Sequence, residues 1–522
     1  MFINNNSYKK KLTVVLLCYI IVLIFAACGG GENISDADLS SENLSIPDIT
    51  SSDSTADKSD ELSQNQSGSS KTDSSMADGT SLENESDIVS ESFSEQESLD
   101  IDLPSEAESS DEVSDIQNSE TSGETSETDN TEQREIDVPK VYINASNEIN
   151  RDMYVDAELR IYDPEGVFAE IYDSKGEVRI RGNSTSSGAK KPYNIKFESK
   201  KTVLGLGTAK KWCLLANMYD KTLIRNKLVF DFATEIGMRY VPGSAFVDVY
   251  VNGIFMGNYL LTEAVAAGDT RVEIDTKRNE FLLEYEPWEQ YSNPESIRTP
   301  IYGVLFGFND PEFPTNAQRN YLNNFLANAE AAIASGNLNA VKEYYDLSSM
   351  VDFYIVNEFF KDVDFSTSST RFYIKNGKIY GGPIWDMDLS SGNCASDYYE
   401  KYNNIGGSGD STESIYCDKI WYGYLLQCDG FLDMVKARYK EILPDIINLS
   451  TDNELGKNKI DSLLIKYGKS FEDNYSVAGW SMTEKYSLYE RIPFSTYEKN
   501  IHYLRQWLVK RNEWLLEEWN IK

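Results

Sequence analysis

Three aspartates have the side-chain type and the spacing that a metal-dependent reaction needs. Asp364 and Asp386 lie 22 residues apart, separated by little more than one tight hairpin. Because a hairpin brings its two ends together, we expect both carboxylates at the same end of it. Asp388, two residues further along a strand, should point to the same side as Asp386. Converging carboxylates repel one another unless a cation lies between them, and Mg²⁺ accepts carboxylate and phosphate oxygens. The alternative is that Asp364 and Asp386 only cap turns.

An aspartate, a short hairpin and a second, metal-binding aspartate occur in this order in enzymes of phosphoryl transfer, the protein kinases. The upstream order also fits that chemistry. The loop 183–189 could cradle phosphates, and Lys196, or its neighbours Lys190 and Lys191, could neutralise their charge. The strand end at Glu263 falls where a kinase hinge would meet adenine. However, the sequence contains none of the usual kinase motifs GxGxxG, HRD and DFG.

Histidine chemistry is narrowly limited in this chain. His502 is the only histidine, which excludes a histidine metal cluster.

A glycosidase using paired carboxylates is a distant third possibility for the function. Asp386 and Asp388, which are adjacent on one strand face, suit a metal better than they suit an acid and base on opposite sides of a cleft.

The elements around these residues predict an α+β fold. Alternating patterns indicate strands in the first half of the folded part, and Asn252-Gly253 predicts a hairpin turn between two of them. Residues 223–236 have helical spacing. Further helices are expected over 316–333 and 348–360, followed by the hairpin before Asp386 and a mostly helical end. The predicted architecture is therefore an atypical protein-kinase-like fold of two lobes, a β-rich lobe over residues 138–290 and a mainly helical lobe over residues 291–522.

The first part of the chain has a different composition. Residues 31–137 hold 31 acidic and three basic side chains, and Phe93 is their only aromatic residue. We expect a disordered, serine-rich linker over residues 29–137, because such a segment cannot bury enough apolar surface to offset its chain entropy. Three lysines and the apolar run 12–27 precede Cys28, as in a secretory signal. Ala26-Ala27-Cys28 resembles a bacterial lipobox, which predicts a lipoprotein signal peptide over residues 1–28 and lipidation of Cys28. A retained anchor helix is the alternative.

The exported part holds four cysteines, which permit three pairings in an oxidising compartment. They are Cys213, Cys394, Cys417 and Cys428. A disulfide between Cys394 and Cys417 across a loop is the favoured pairing, with free buried cysteines an equal alternative. The spacing of the four matches no zinc pattern.

Several short motifs over about residues 141–393 form a distinctive combination. The motifs are Arg-Gly-Asn-Ser from Arg181, Lys-Pro-Tyr-Asn-Ile-Lys ending at Lys196, Lys211-Trp212, Leu-Ala-Asn ending at Asn217, Asp-Lys-Thr-Leu-Ile-Arg-Asn-Lys-Leu from Asp220, Phe-Val-Asp-Val-Tyr-Val-Asn-Gly ending at Gly253, Tyr-Leu-Leu-Thr-Glu ending at Glu263, and Pro-Ile-Trp-Asp-Met-Asp ending at Asp388. Together they resemble the motifs of the spore-coat protein H (CotH) kinase family. The family is described as atypical, secreted or surface-associated kinases that phosphorylate serines of coat or surface proteins, using ATP and a divalent metal.

This resemblance implies roles for individual residues. Asp364 would be catalytic, with Asp362 a weaker candidate for the same position, and Asp386 with Asp388 would bind Mg²⁺ or Mn²⁺. The nucleotide and its phosphates would contact Lys196, Arg181, Asn183, Arg225 and Glu263. One position departs from the family pattern, because Ser369 stands where several members have a metal-binding asparagine. A serine hydroxyl is a poorer ligand, so a weaker second metal site, or a domain that binds nucleotide but transfers phosphate slowly, is expected.

The sequence therefore supports a surface-tethered atypical kinase that transfers the ATP γ-phosphate to serines. Its partner would be a protein with acidic serine-rich segments, and its own linker is one candidate. A lipid anchor would hold the chain, expected to be a monomer, on the outer face of the bacterial membrane. The acidity argues against nucleic acid as a partner. The alternative is a surface adhesion or scaffold lipoprotein that keeps the fold but not the reaction.

Overall fold

A computed structural model describes residues 134–285, 295–395 and 409–522, all within the unit Asn118–Lys522. The predicted signal sequence and nearly all of the predicted acidic linker lie outside the described residues. The last linker residues, 134–137, already contact the fold: Ile136 N donates to Lys466 O, and Asp137 N donates to Glu165. Among the described residues, no helix combines the length and apolar character needed to cross a membrane.

The first half of the described chain forms a closed barrel of seven strands in the order β1-β2-β3-β4-β5-β7-β6. The strands are β1 (Lys140–Ala145), β2 (Val155–Tyr162), β3 (Ile171–Ile180), β4 (Tyr193–Thr202), β5 (Thr208–Leu215), β6 (Ser244–Val251) and β7 (Ile254–Glu263). Neighbouring strands are antiparallel except β1 and β6, whose parallel pairing closes the barrel. Asn252 and Gly253 have positive φ in the β6–β7 turn, which is the predicted hairpin.

A five-stranded sheet follows, in the order β12-β11-β8-β10-β9. Its strands are β8 (Phe281–Tyr285), β9 (Ser296–Arg298), β10 (Leu305–Asp310), β11 (Arg371–Lys375) and β12 (Lys378–Gly381). The predicted hairpin before Asp386 is β11–β12, with Asn376 and Gly377 in its turn. Since β11 also pairs with β8, the hairpin is the edge of this larger sheet.

Nine α-helices complete the described part of the chain. They are α1 (Arg225–Glu235), α2 (Asn316–Ala334), α3 (Leu338–Tyr344), α4 (Leu347–Phe360), α5 (Tyr422–Leu425), α6 (Phe431–Glu441), α7 (Leu443–Asn448), α8 (Lys459–Ser476) and α9 (Tyr497–Glu518). Side chains cap the helices that precede the site: Thr315 and Gln318 form a capping box on α2, and Asp346 accepts from Ser349 N on α4. Helix α4 is the most apolar helix and is buried on nearly every side, as its composition requires.

Two apolar cores stabilise these layers. One fills the barrel with inward side chains such as Val141, Ile195 and Val249, and the other packs the helices against the five-stranded sheet. Residues of α1, including Leu228 and Phe232, belong to the second core. The α+β class predicted from the sequence is confirmed. Strand β5 was not predicted, and neither was the closure of the barrel by its first strand.

Candidate active site

A polar cleft of about 400 Å³ lies where the end of β3, the α4–β11 connection and the segment after β12 meet. The three aspartates singled out in the sequence, Asp364, Asp386 and Asp388, all line it. Asp364 follows α4, which ends at Lys361 in a left-handed conformation. The β11–β12 hairpin then returns the chain, and Gly382 N donates to Arg371 O at 3.0 Å before the chain reaches Asp386. The hairpin thus brings the two ends of the motif to one cleft.

The backbone at Asp386 and Asp388 differs from the predicted strand. Asp386 has φ of 65°, and residues Met387–Leu389 form a 3₁₀ turn. The prediction that Asp386 and Asp388 share one face of an extended strand is therefore wrong, although the turn still directs both into the cleft. Within the described residues, no three His, Cys, Asp or Glu side chains form a group able to hold a metal ion. The three aspartates thus share the cleft and act on one another's charge, but they do not form a three-ligand group for one ion.

The cleft nevertheless concentrates negative charge. Burial, with the charges of Asp386 and Asp364 beside it, raises the pKa of Asp388 well above its usual value. Asp362 is 4% exposed, does not line the cleft, and accepts a hydrogen bond from Asp364 N at 3.1 Å. Burial and the neighbouring Asp364 charge raise the pKa of Asp362 as well. Asp364 is thus the residue of this pair that reaches the cleft, and a cation there would relieve the repulsion.

Ser369 and Asp386 face each other at the base of the cleft. The Ser369 hydroxyl donates to Asp386 Oδ2 at 2.9 Å. Both residues have positive φ, 57° for Ser369 and 65° for Asp386, a conformation that costs free energy in any residue but glycine. Carboxylates and a hydroxyl are hard oxygen donors, and Mg²⁺ commonly takes only one or two carboxylates together with phosphate and water. Asp386, Asp388 and Ser369 therefore fit a divalent cation that binds together with phosphate.

The first turn of α1 holds the loop that carries these aspartates. Arg225 is 2% exposed and donates through Nε to Ser390 O at 3.1 Å and through Nη2 to Ser391 O at 3.4 Å. Its Nη1 is paired with Asp220, which is fully buried. Asn226 Oδ1 accepts from Met387 N at 2.8 Å. The Arg-Asn pair of the sequence motif thus positions the loop from behind.

The cationic side chains of the cleft are arginines. Arg179 and Arg181 extend from the end of β3, Arg371 begins β11, and Arg151 is at the rim, where it donates to Asn183 Oδ1 at 3.3 Å. Arg371 is paired with Glu284 at 2.5 Å. No described lysine lines the cleft.

Two of these arginines are oriented by aromatic rings. Arg181 Cζ lies 5.2 Å from the centroid of the Trp385 ring, and Arg179 Cζ lies 4.6 Å from that of Tyr154. Arg179 Nε is buried and has no hydrogen-bond partner among the described residues. Sequence reasoning missed Arg179, although its position two residues before Arg181 on an alternating strand places both on one face.

The loop after β3 approaches the cleft through Gly182. This residue has φ of 89°, and a Cβ placed there would lie 2.1 Å from Thr185 Oγ1. Only glycine therefore fits. Asn183 and Ser184 then line the cleft together with Thr185, the first residue of the following 3₁₀ turn, Thr185–Ser187. Of the residues expected at the phosphates, Arg181 and Asn183 are in the cleft.

Three other predicted contact residues lie elsewhere. Lys196 does not line the cleft and is paired with Glu177 at 2.6 Å, two residues along β4 from the cleft residue Asn194. Glu263 is 6% exposed at the end of β7 and accepts from Gly243 N at 3.1 Å. Arg225 is buried behind the loop 386–391. The structure therefore does not support direct phosphate contacts by Lys196 or Arg225, or a nucleotide contact by Glu263.

Other predicted features fall outside the site. Cys28 lies outside the described residues. Cys213, Cys394, Cys417 and Cys428 are free and buried, so the favoured Cys394–Cys417 disulfide is not formed. Lys190 is buried as well, and its ammonium donates to Asn258 O and Asn474 Oδ1 between the barrel and α8. It therefore joins the two halves of the fold and does not reach the cleft.

Comparison with known protein families identifies the family of this chain. The family described as CotH kinase protein matches residues 178–515, which include every aspartate and arginine of the cleft except Arg151. The chain therefore belongs to this family. It is also similar to a protein described as inner spore coat protein H, from Bacillus subtilis (strain 168), at 32% identity over 120 residues. That similarity covers 23% of this chain and 30% of the relative, so the chain matches less than a third of the relative's length.

Proposed function

We propose that this chain is an atypical protein kinase that transfers the γ-phosphate of ATP to serine hydroxyls of an acidic surface protein. Membership of a kinase family supports kinase-like chemistry in general. The observation that carries the finer proposal is the cleft itself, in which Asp364 and the Asp386 loop, brought together by the β11–β12 hairpin, face Arg179 and Arg181. Such a cleft pairs a proton acceptor with cationic groups suited to phosphate.

Asp364 is the proposed proton acceptor. A serine Oγ would form a bond to the γ-phosphorus as the bond between that phosphorus and the bridging oxygen of ADP breaks. The hydroxyl proton would pass to the Asp364 carboxylate. Because this chemistry depends mainly on placement, the chief task of Asp364 is to orient the hydroxyl in line with the breaking bond. Asp362 is buried behind Asp364 and accepts a hydrogen bond from its backbone N–H, so that only the Asp364 carboxylate is exposed to the cleft.

The remaining residues would bind the triphosphate. Arg179 and Arg181 are placed to receive its oxygens, since a guanidinium presents several donors in a planar fork that matches phosphate. The loop at Gly182 and Asn183 would contribute backbone N–H groups. Asp386, Asp388 and Ser369 would hold a divalent cation, which when bound neutralises charge on the phosphates.

Location and partners are part of the proposal. The apolar run before Cys28 and the acidic segment after it support a lipid-anchored protein on the outer face of the bacterial membrane. Serines flanked by Asp and Glu, such as those of residues 31–133, are proposed as acceptors, including those of another copy of this chain. The two-lobed kinase-like arrangement and the disorder of the linker belong to the same proposal.

Phosphate transfer to serine peptides tests this function. The protein is incubated with radiolabelled ATP, Mg²⁺ or Mn²⁺ and a panel of acidic serine peptides. Asp364→Asn is expected to lower kcat by roughly 10²- to 10⁴-fold, the usual contribution of a general base. The matched control is Asp269→Asn, because Asp269 is exposed and lies outside the cleft lining. Absence of transfer by folded wild-type protein under all these conditions would refute the proposal.

A second candidate is a surface adhesion or scaffold protein. The observation that favours it is Ser369, a poorer metal ligand in a cleft without a three-residue metal cluster among the described residues. Calorimetry with Mg·ATP separates the two functions. Absence of nucleotide binding by the folded protein supports adhesion, whereas binding that Asp386→Asn abolishes supports the kinase.

A further inference from the structure

A strongly basic segment lies within this acidic protein. Residues 174–211 contain ten Lys or Arg and two Asp or Glu, whereas the whole chain has a formal net charge of −36. The segment comprises most of β3, all of β4 and the first half of β5, three neighbouring strands of the barrel. Positive charge is therefore concentrated on one side of the barrel.

Five of these side chains lie on the β4–β5 hairpin, and together we call them the lysine face: Lys196, Lys200, Lys201, Lys210 and Lys211. Lys196 lies directly opposite Lys211 in the strand register, and Lys201 lies opposite Ala209. Lys200, Lys210 and Lys211 are exposed, and the other two are half-buried. The lysine face is thus open to solvent along most of the β4–β5 hairpin.

The lysine face forms few ion pairs, although Glu198, also on β4, is exposed between Lys196 and Lys200. Glu177, paired with Lys196, is the only carboxylate within 4 Å of any of its ammonium groups in the part of the chain that the structure describes. Like charges facing each other across a strand pair are destabilising. Lys196 is paired with Glu177, and Lys211 interacts electrostatically with Asp310 without forming an ion pair within 4 Å.

The lysine face begins at the rim of the cleft. Arg179 on β3 lies opposite Asn194 on β4, and both line the cleft. Lys196 follows Asn194 by two residues on the same side of β4, and Lys200 lies six residues from Asn194. At about 3.3 Å per residue, the far part of the face lies on the order of 20 Å from the cleft rim.

We propose that the lysine face is a docking surface for an acidic, serine-rich polypeptide whose serine enters the cleft. The inference rests on the proposed kinase function for that last step. Charge complementarity identifies the occupant, because exposed and unpaired lysines attract Glu and Asp side chains. An extended peptide advances about 3.3–3.6 Å per residue, so the acceptor serine should lie roughly six residues from the acidic run that contacts Lys200 and Lys210.

Equilibrium binding without nucleotide tests the docking surface separately from catalysis. The probe is a fluorescein-labelled serine peptide flanked by a run of glutamates, and fluorescence anisotropy measures its affinity for the full chain. The variant combines Lys200→Glu, Lys210→Glu and Lys211→Glu, all at exposed positions. We expect its affinity for the peptide to fall roughly tenfold or more at low ionic strength, and the difference to shrink as salt is added.

The matched control combines Lys440→Glu, Lys499→Glu and Lys510→Glu, three exposed lysines on α6 and α9. It changes the net charge by the same amount and should change affinity by no more than about twofold, since distant exposed charges are screened. A peptide with glutamines in place of the glutamates should bind weakly to all three proteins. Equal losses in the two variants, or an unchanged affinity in the β4–β5 variant, would overturn the proposal.

Two further measurements separate the alternatives. Inorganic polyphosphate is tested as a competitor. If it binds the lysine face more tightly than the peptide, the surface is a general polyanion site and the proposal of a peptide dock fails. Transfer to the same peptide is then measured with ATP. If the peptide binds through the lysines but receives no phosphate, the kinase proposal is refuted and the docking proposal stands. If phosphate transfer is the same in the β4–β5 variant as in wild type, the docking proposal is refuted and the kinase proposal stands.

Discussion

Replacing Arg225 tests how the fold holds the Asp386 loop. The guanidinium of Arg225 is 2% exposed, is paired with the fully buried Asp220, and donates to the carbonyls of Ser390 and Ser391. Arg225→Met would leave the Asp220 charge buried without its cation and would remove both carbonyl tethers. Breaking a buried ion pair in this way typically costs about 3–5 kcal/mol. We therefore expect the free energy of unfolding to fall by about that amount.

Two companion variants separate the two causes of this loss of stability, the unpaired Asp220 charge and the missing carbonyl contacts. Combining Asp220→Asn with Arg225→Met removes the stranded charge, so it should recover roughly half of the lost stability. Arg225→Lys keeps a positive charge beside Asp220 but cannot contact the two carbonyls and the carboxylate at once. It should therefore keep most of the stability but hold the Asp386 loop less firmly in position. Arg278→Met, at an exposed position without an ion pair among the described residues, is the matched control and should change stability by less than about 0.5 kcal/mol.

Urea unfolding at neutral pH measures these differences, and binding of Mn·ATP reports the state of the loop. The expected pattern is a large loss of stability in Arg225→Met and a loss of nucleotide binding in Arg225→Lys that exceeds its loss of stability. If Arg225→Met loses less than about 1 kcal/mol, the buried pair does not hold the loop. If Arg225→Lys binds Mn·ATP as wild type does, the carbonyl tethers do not position the aspartates.

Two other residues give further predictions. Ser369→Asn should strengthen Mn²⁺ binding, because an amide oxygen is a better ligand than a hydroxyl and asparagine tolerates the positive φ of this position better than serine does. Titration of Mn²⁺ with ATP present measures the change, and weaker binding would contradict it. Burial lowers the pKa of Lys361 to about 8 from its usual 10.5, so the folded protein binds fewer protons than the unfolded chain between those pH values. Wild type should therefore gain up to about 3 kcal/mol relative to Lys361→Met as pH rises from 8 to 10.5, and urea unfolding that shows no such gain would exclude the lowered pKa.

Local signals in the sequence predicted much of the site. The hairpin predicted before Asp386, with its Asn-Gly turn, and the short spacing from Asp364 to Asp386 were enough to place the two aspartates at one cleft. These features depend on neighbouring residues, which a single sequence displays directly. The same holds for the loop at Gly182, where a tight turn next to Asn183 and Ser184 is visible in the residue types.

Features set by distant contacts were not predictable in this way. Lys196 was chosen because a lysine on a strand resembles a phosphate ligand, yet the register pairs it with Glu177 outside the cleft lining. Arg225 was expected to reach the phosphates, but its guanidinium is occupied by Asp220 and by two carbonyls of a loop about 165 residues away. Nothing in the local sequence reveals these contacts. Pairings of this kind are fixed only once the barrel, α1 and the cleft loop have packed together.

The parallel pairing of β1 with β6 bears on where the functional unit begins. The family match starts at residue 178, within β3, whereas the barrel is closed by residues 140–145. A polypeptide trimmed to the family boundary would lack β1, β2 and most of β3, leaving two long, uncapped sheet margins at β4 and β6. Such margins recruit strands from other molecules, so the trimmed protein should self-associate. The residues upstream of the family match that form β1, β2 and most of β3 are thus an intrinsic part of this protein's barrel, although the family match does not include them.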